Sequence, residues 1–198
     1  MKRRQGVNLP NKLTVLRIGM IPVFILILAI PFDWGSLVVG STTLLYTHVI
    51  AAIIFTVASI TDWLDGKIAR DRGLVTNFGK FADPLADKML VMTAFIMLVE
   101  LDKAPAWIVA VIVCRELAVT GLRLLLVEGG EVMAAAWPGK IKTATQMLAI
   151  IFLLINNVPF NLLGLPVDQL LLYLCLIATV YSGTDYFVKN TAVFKDSM

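Results

Sequence analysis

Charge is what this sequence has least of. Of its 198 residues only 16% are Asp, Glu, Lys or Arg, while 59% are hydrophobic and the mean hydropathy is +0.84. Water-soluble domains carry about 25% charged and about 45–50% apolar residues. A chain this short has too little interior to hide such an apolar excess. Cysteine is nearly missing as well: Cys114 and Cys175 both sit in long apolar runs. They read as apolar fillers, and a disulfide scaffold is excluded. The same arithmetic excludes an intrinsically disordered chain. No internal repeat, low-complexity tract or long linker divides residues 1–198. What is left is an integral membrane protein of one domain, in which the few charges are the informative residues.

Lipid admits only helices and closed barrels, and a spanning helix needs about 20 mostly apolar residues. On that basis the sequence predicts an all-α, six-helix bundle. The expected spans are Leu13–Pro31, Thr42–Leu64, Pro84–Leu101, Ala104–Val127, Ile141–Asn157 and Leu165–Val188. All but one of the 17 lysines and arginines precede or open span one, lie between or beside spans two and three, flank the connection of spans four and five, or close the chain after span six. The exception is Lys103, which shares its side with Asp33, Glu100, Asp102 and Asp168. The positive-inside rule then places both termini in the cytoplasm of a multi-pass cell-membrane protein. A basic start followed by an apolar stretch also suits a signal peptide. Arg17 interrupts that pattern and no small-residue cleavage site follows Ile30, so the segment is expected to remain as a span.

Residues 59–88 read SITDWLDGKIARDRGLVTNFGKFADPLADK. Asp62 and Asp65 close span two, and Asp83 and Asp87 open span three. Spacings of three and four put each pair on one helix face, about 5 Å apart along the axis. An Asp at the centre of a membrane helix costs roughly 2.5–3.5 kcal/mol, less near the interface, and such groups face cavities and find partners. Lys67, Arg70, Lys80 and Lys88 are available, but two Mg²⁺ or Mn²⁺ ions would balance four carboxylates better. Oxygen ligands suit those hard cations, and no His or Cys is near enough to favour zinc. Gly66 and Gly79 permit close approach of a ligand, Ala69 is also small, and Arg70 offers a fork for phosphate oxygens. The residues alone thus describe a phosphate-and-metal site at the cytoplasmic surface. The bland alternative makes them interfacial charges and caps, with Asp83 as an N-cap before Pro84 at the first helical position.

The full pattern is Asp62-x2-Asp65-Gly66-x2-Ala69-Arg70-x8-Gly79-x3-Asp83-x3-Asp87. It resembles the complete signature of the CDP-alcohol phosphatidyltransferases, with every position present and no spacing altered. Asn11 to Arg17, Phe81 to Lys88, Arg115-Glu116 with Arg123, and Gly139 to Thr143 with Gln146 are most similar to the bacterial branch that makes phosphatidylglycerol phosphate. The resemblance implies six helices, commonly paired as a homodimer. It implies that the hydroxyl of sn-glycerol 3-phosphate attacks the β-phosphorus of CDP-diacylglycerol and that CMP leaves. Asp62, Asp65, Asp83 and Asp87 would hold two divalent metals, with Asp87 also the general base. Gly66, Ala69, Arg70 and Gly79 match positions around the nucleotide and diphosphate. Asn11, Thr14 and Arg17 either frame the nucleotide entrance or anchor the interface.

A dianionic acceptor needs further cations, and Arg115, Arg123, Lys140 and Lys142 are the candidates. Lys140 and Lys142 suit topology or lipid headgroups equally well. Glu116 and Arg123, seven apart, are expected to pair, which would leave Arg115 freer for phosphate. His48, Trp34, Tyr46 and Trp107 read as outer-side packing or aromatic-belt residues. Asp185 reads as a solvent-facing or base-paired carboxylate. Sibling acceptors, inositol or phosphatidylglycerol, would need neutral hydrogen bonders or a second lipid groove. A divalent-cation transporter would place its carboxylates near the midplane. No nucleic-acid partner is expected.

Overall fold

The computed structural model describes residues 9–71, 77–128 and 137–191. Six α-helices lie within them: α1 (Leu9–Ala29), α2 (Tyr46–Asp71), α3 (Asn77–Glu100), α4 (Ala106–Glu128), α5 (Trp137–Leu154) and α6 (Val167–Lys189). A 3-10 turn at Phe160–Leu163 joins α5 to α6. The fold departs from the all-helical expectation between α1 and α2. Strands β1 (Ser36–Val39) and β2 (Thr42–Leu45) pair antiparallel between α1 and α2. The reason is local. Gly40 takes φ +62° in a two-residue turn that suits a hairpin, and the β-branched Thr42 and Thr43 follow it. Helix α2 therefore begins at Tyr46 rather than at Thr42. At the other departure, α3 starts at Asn77 and carries Pro84 inside it. Asp83 is thus a mid-helix residue and not an N-cap, so its carboxylate is available to the site.

The core is apolar and partly built on small side chains. Ala51, Ala52, Ala58 and Ala94 are buried beside Phe24, Phe55, Phe95 and Leu98, which lets the helix backbones approach closely. Phe24 of α1 and Phe55 of α2 meet with ring centroids 6.4 Å apart. Helix α1 packs on α2 and α3, α4 packs on α6, and α5 and α6 share the most extensive interface.

The polarity of the molecule is inverted. Val38, Leu124, Ile177 and Val188 on the outside are more than half exposed, as are many other large apolar residues. Thr14, Arg17, Glu116, Lys142, Gln146 and Ser182 are buried. Contiguous apolar exposure on this scale is foreign to soluble monomers and natural where the solvent is lipid. Among the described residues, α1 over Asn11–Ala29 and α6 over Val167–Lys189 are long and apolar enough to cross a membrane by length and composition. Helix α2 is apolar over the shorter run Tyr46–Asp62, and α3, α4 and α5 carry charged residues within them; the sequence counts all four as spans.

Helix directions sort the two ends. At one end Asn156 donates to the Thr43 carbonyl (2.9 Å) and Asn161 to the Thr42 hydroxyl (2.5 Å), fixing the hairpin against the α5–α6 connection. Lys103 Nζ, in the α3–α4 turn, lies 2.9 Å from His48 Nδ1 and 3.0 Å from the Leu154 carbonyl, tying three elements together. At the opposite end gather the N-terminal halves of α1, α3 and α5 with the C-terminal halves of α2, α4 and α6. The charged candidates of the sequence lie toward that end, with Arg115 near the middle of α4.

Burial pushes the Lys103 amine down from 10.5 to about 8, against the raising effect of Asp168. Between those values the unfolded chain keeps a proton that the folded chain has lost, so this group adds stability as pH rises. The thermal stability of the wild type relative to Lys103→Met is expected to increase from about pH 7 to about pH 10, where most of that proton release lies. A difference that stays flat or falls over this range, followed by thermal unfolding in detergent, would contradict the burial of this amine.

Candidate active site

Two ion-and-hydrogen-bond contacts join α1 to the aspartate-bearing helices. Arg17 Nη1 lies 2.6 Å from Asp62 Oδ1, with Arg17 essentially buried and Asp62 one-third exposed. Thr14 Oγ1 donates to Asp83 Oδ1 at 2.5 Å. The two α1 residues are three apart, so they face α2 and α3 from one stripe. A buried guanidinium is tolerated only with a partner, and this one is held by a signature carboxylate. The sequence offered Arg17 as an entrance or anchoring residue; its place as a buried counter-ion was not legible there.

Asp87, four residues beyond Asp83, is half-buried and feels the charges of Asp62, Lys142, Arg17 and Glu116. Gly79 is buried in the first turns of α3, and Asn11 is half-buried on α1. Asp65, Gly66, Ala69 and Arg70 lie on the last turns of α2, and their side chains fall outside the described residues. Among the described residues no three carboxylate, His or Cys side chains converge as a metal cage. The donors that do meet here are carboxylate and hydroxyl oxygens, and the lone histidine is at the other end of the bundle. That donor chemistry fits a hard divalent cation.

The cationic half of the site surrounds a cavity of about 550 Å³. Asp87 and Lys88 of α3 line one wall, Arg115, Glu116 and Arg123 of α4 another. Lys140 and Lys142 of α5 and Ser182, Asp185 and Tyr186 of α6 complete it. All four cations expected to hold an acceptor phosphate thus open on the same space as Asp87.

The ion pairing differs from expectation. Glu116 accepts from Arg115 Nη1 at 3.0 Å and from Lys142 Nζ at 2.5 Å. Arg123 makes no ion pair among the described residues. The reason is depth. Glu116 and Lys142 are both buried while Arg123 is exposed, and a buried carboxylate gains most from buried cations. Arg115 also donates from Nη2 to Ser182 Oγ at 2.9 Å. Lys88 donates to Thr120 rather than to an aspartate. Asp185 pairs with Lys189 at 2.8 Å, one turn along α6, and lines the cavity too. Ser182 and Tyr186 were not distinguishable in the sequence. Both lie in an apolar helix, and only the packing of α6 on α4 turns them inward.

Comparison with known proteins covers the same segments of the chain. The family model for CDP-alcohol phosphatidyltransferase matches residues 7–181. The chain is 54% identical over 190 residues to the CDP-diacylglycerol–glycerol-3-phosphate 3-phosphatidyltransferase of Bacillus subtilis, covering 96% of this chain and 98% of that one. It is 39% identical over 188 residues to a probable phosphatidylglycerophosphate synthase of Mycobacterium tuberculosis, covering 94% and 83%. It is 34% identical over 185 residues to the CDP-diacylglycerol–glycerol-3-phosphate 3-phosphatidyltransferase of Salmonella typhimurium, covering 90% and 92%. The span matched runs from α1 into α6 and takes in the aspartates and the four cations of the cavity, Arg115, Arg123, Lys140 and Lys142. The chain therefore belongs to the CDP-alcohol phosphatidyltransferase family.

Proposed function

We propose that this chain is a phosphatidyltransferase that moves the phosphatidyl group of CDP-diacylglycerol to sn-glycerol 3-phosphate, forming phosphatidylglycerol phosphate and releasing CMP. One observation carries the choice of acceptor: a carboxylate, Asp87, shares a cavity of about 550 Å³ with Arg115, Arg123, Lys140 and Lys142. A phosphate dianion needs those cations, and a free polyol would leave them unpaired. The names of the bacterial relatives agree with this substrate pair.

Chemically, the acceptor oxygen forms a bond to the β-phosphorus. The bond from that phosphorus to the oxygen bridging it to CMP breaks, and the hydroxyl proton passes to Asp87. Phosphoryl-type transfer is mainly positioning and charge neutralisation. Arg115 and Lys142 orient the acceptor through its phosphate, with Lys140 and Arg123 nearer the rim. Glu116 keeps both inner cations ordered before the acceptor arrives, which lowers the cost of organising the site on binding. Thr14 and Arg17 aim Asp83 and Asp62. Two Mg²⁺ or Mn²⁺ ions per site, held by Asp62, Asp65, Asp83 and Asp87, would neutralise the diphosphate and acidify the attacking hydroxyl. Gly66, Ala69, Arg70, Gly79 and Asn11 belong in this reading to the CDP-diacylglycerol side.

The apolar exterior supports insertion in the cell membrane. We read all six helices as spans of one catalytic domain, with both termini and the active site on the cytoplasmic side, and the working form as a homodimer. A lipid substrate then reaches the aspartates sideways from the bilayer, and the soluble acceptor reaches the basic cavity from water. The transporter alternative is less well supported, because the carboxylates gather at one end of the bundle.

Two measurements test the reading. Purified protein with CDP-diacylglycerol and Mg²⁺ or Mn²⁺ is expected to release CMP with sn-glycerol 3-phosphate far faster than with inositol, glycerol or phosphatidylglycerol. Faster release with any of the others would overturn the acceptor assignment. Asp87→Asn is expected to lower CMP release by at least about 10³-fold, the scale of a lost general base, while the protein stays folded by thermal melting. Turnover within about tenfold of wild type would remove Asp87 from that role.

A further inference from the structure

Arg115 is held by α6 as well as by α4. Its Nη2 donates to Ser182 Oγ at 2.9 Å, and that hydroxyl donates in turn to the Thr179 carbonyl at 3.2 Å. The proton of Ser182 is thereby directed along its own helix, and its lone pairs are left facing the guanidinium. Ser182 is 4% exposed, so water does not compete for either bond. The next residue completes the seat. A Cβ added to Gly183 would stand 2.9 Å from Arg115 Cγ and 3.3 Å from Nε. A side chain there would force Arg115 to shift from this position. Arg115 Nε is buried against this gap with no hydrogen-bond partner among the described residues.

We propose that Ser182 and Gly183 are positioning residues that seat Arg115 for recognition of the acceptor's phosphate, a role that rests on the acceptor site proposed above. A guanidinium carries five N–H donors. The bonds to Glu116 and Ser182 engage one donor on Nη1 and one on Nη2, leaving the second donor of each terminal nitrogen. Those two remain to donate to phosphate oxygens. Glu116 alone would fix one edge of the plane and leave it free to rotate. Ser182 fixes the other edge from a different helix, and Gly183 lets the stem lie flat enough for both bonds to form. Selectivity for a phosphorylated acceptor thus depends on α6, which contributes neither a cation nor a signature residue to the phosphate.

Steady-state CMP release by the full-length protein in lipid–detergent micelles tests this, with each substrate varied in turn. Ser182→Ala is expected to raise KM for sn-glycerol 3-phosphate by about tenfold, the effect of losing a charge-assisted bond. Its kcat and its KM for CDP-diacylglycerol should stay within about twofold. Arg115→Ala is expected to raise the acceptor KM further, and Arg115→Ala/Ser182→Ala to be no worse than Arg115→Ala. If Arg115→Ala raises the acceptor KM but Ser182→Ala does not, or if the two effects multiply in the double variant, the seat is overturned and the acceptor site stands. If Arg115→Ala leaves the acceptor KM unchanged, the acceptor site itself falls and the seat with it. Should Ser182→Ala not fold, Gly183→Ala displaces the same side chain and is held to the same criteria.

Discussion

The interaction on which the site depends is the buried carboxylate of Glu116 between two cations. Glu116 receives Arg115 from its own helix and Lys142 from α5, and Arg115 continues to Ser182 on α6. Three helices are joined by one charge network. Removing a single partner from such a network leaves a buried charge without compensation, which is why these contacts come as a set. The network's net charge is positive, so it stands ready for an anion while remaining ordered without one. A second network, Arg17–Asp62 and Thr14–Asp83, does the same for the aspartate side and ties α1 to α2 and α3.

Both networks are intelligible only in a molecule that is apolar outside. In water, Arg17, Lys142 and Glu116 would gain by facing solvent. Here the outward positions are taken by residues such as Leu124 and Ile177, and the charges turn toward each other and toward the cavity. The apolar core runs from Phe24 to Leu172 between the two ends of the bundle, and at the far end Thr47, His48 and Asn157 are buried. There the hairpin, Lys103 and the asparagines of the α5–α6 connection close the structure with backbone bonds. Scarce charge and its uneven placement are thus one arrangement: an apolar shell around a polar cavity at one end.

Much of this is readable in the sequence, and the parts that are not have physical reasons. Six helices follow from apolar runs of spanning length, because lipid forces backbone satisfaction within each segment. The convergence of Arg115, Arg123, Lys140 and Lys142 at one end of the bundle is what the one-sided distribution of lysines and arginines leads one to expect. The aspartate spacing carries the chemistry for the same reason: residues three and four apart on a helix must face one way. The hairpin at Ser36–Leu45 is hidden because its strands are short and equally apolar as helix. Pairing partners are hidden more deeply. Glu116 and Arg123 share a stripe in sequence, yet α5 brings Lys142 to Glu116 instead, and depth within the bundle decides between them. Ser182, Gly183 and Tyr186 are ordinary residues of an apolar helix until the rotation of α6 against α4 is known.

The central claim is that Lys142 and Arg115 serve the phosphate of the acceptor while Asp87 serves its hydroxyl. The most direct measurement is the ratio of kcat/KM for sn-glycerol 3-phosphate to that for unphosphorylated glycerol, in the wild type and in Lys142→Ala. Loss of the Lys142 contact to the phosphate is expected to lower the ratio by about 10- to 100-fold, beyond any loss common to both acceptors. A ratio that stays constant while both rates fall together would contradict the claim, because Lys142 would then support the fold or the reacting centre and not the phosphate.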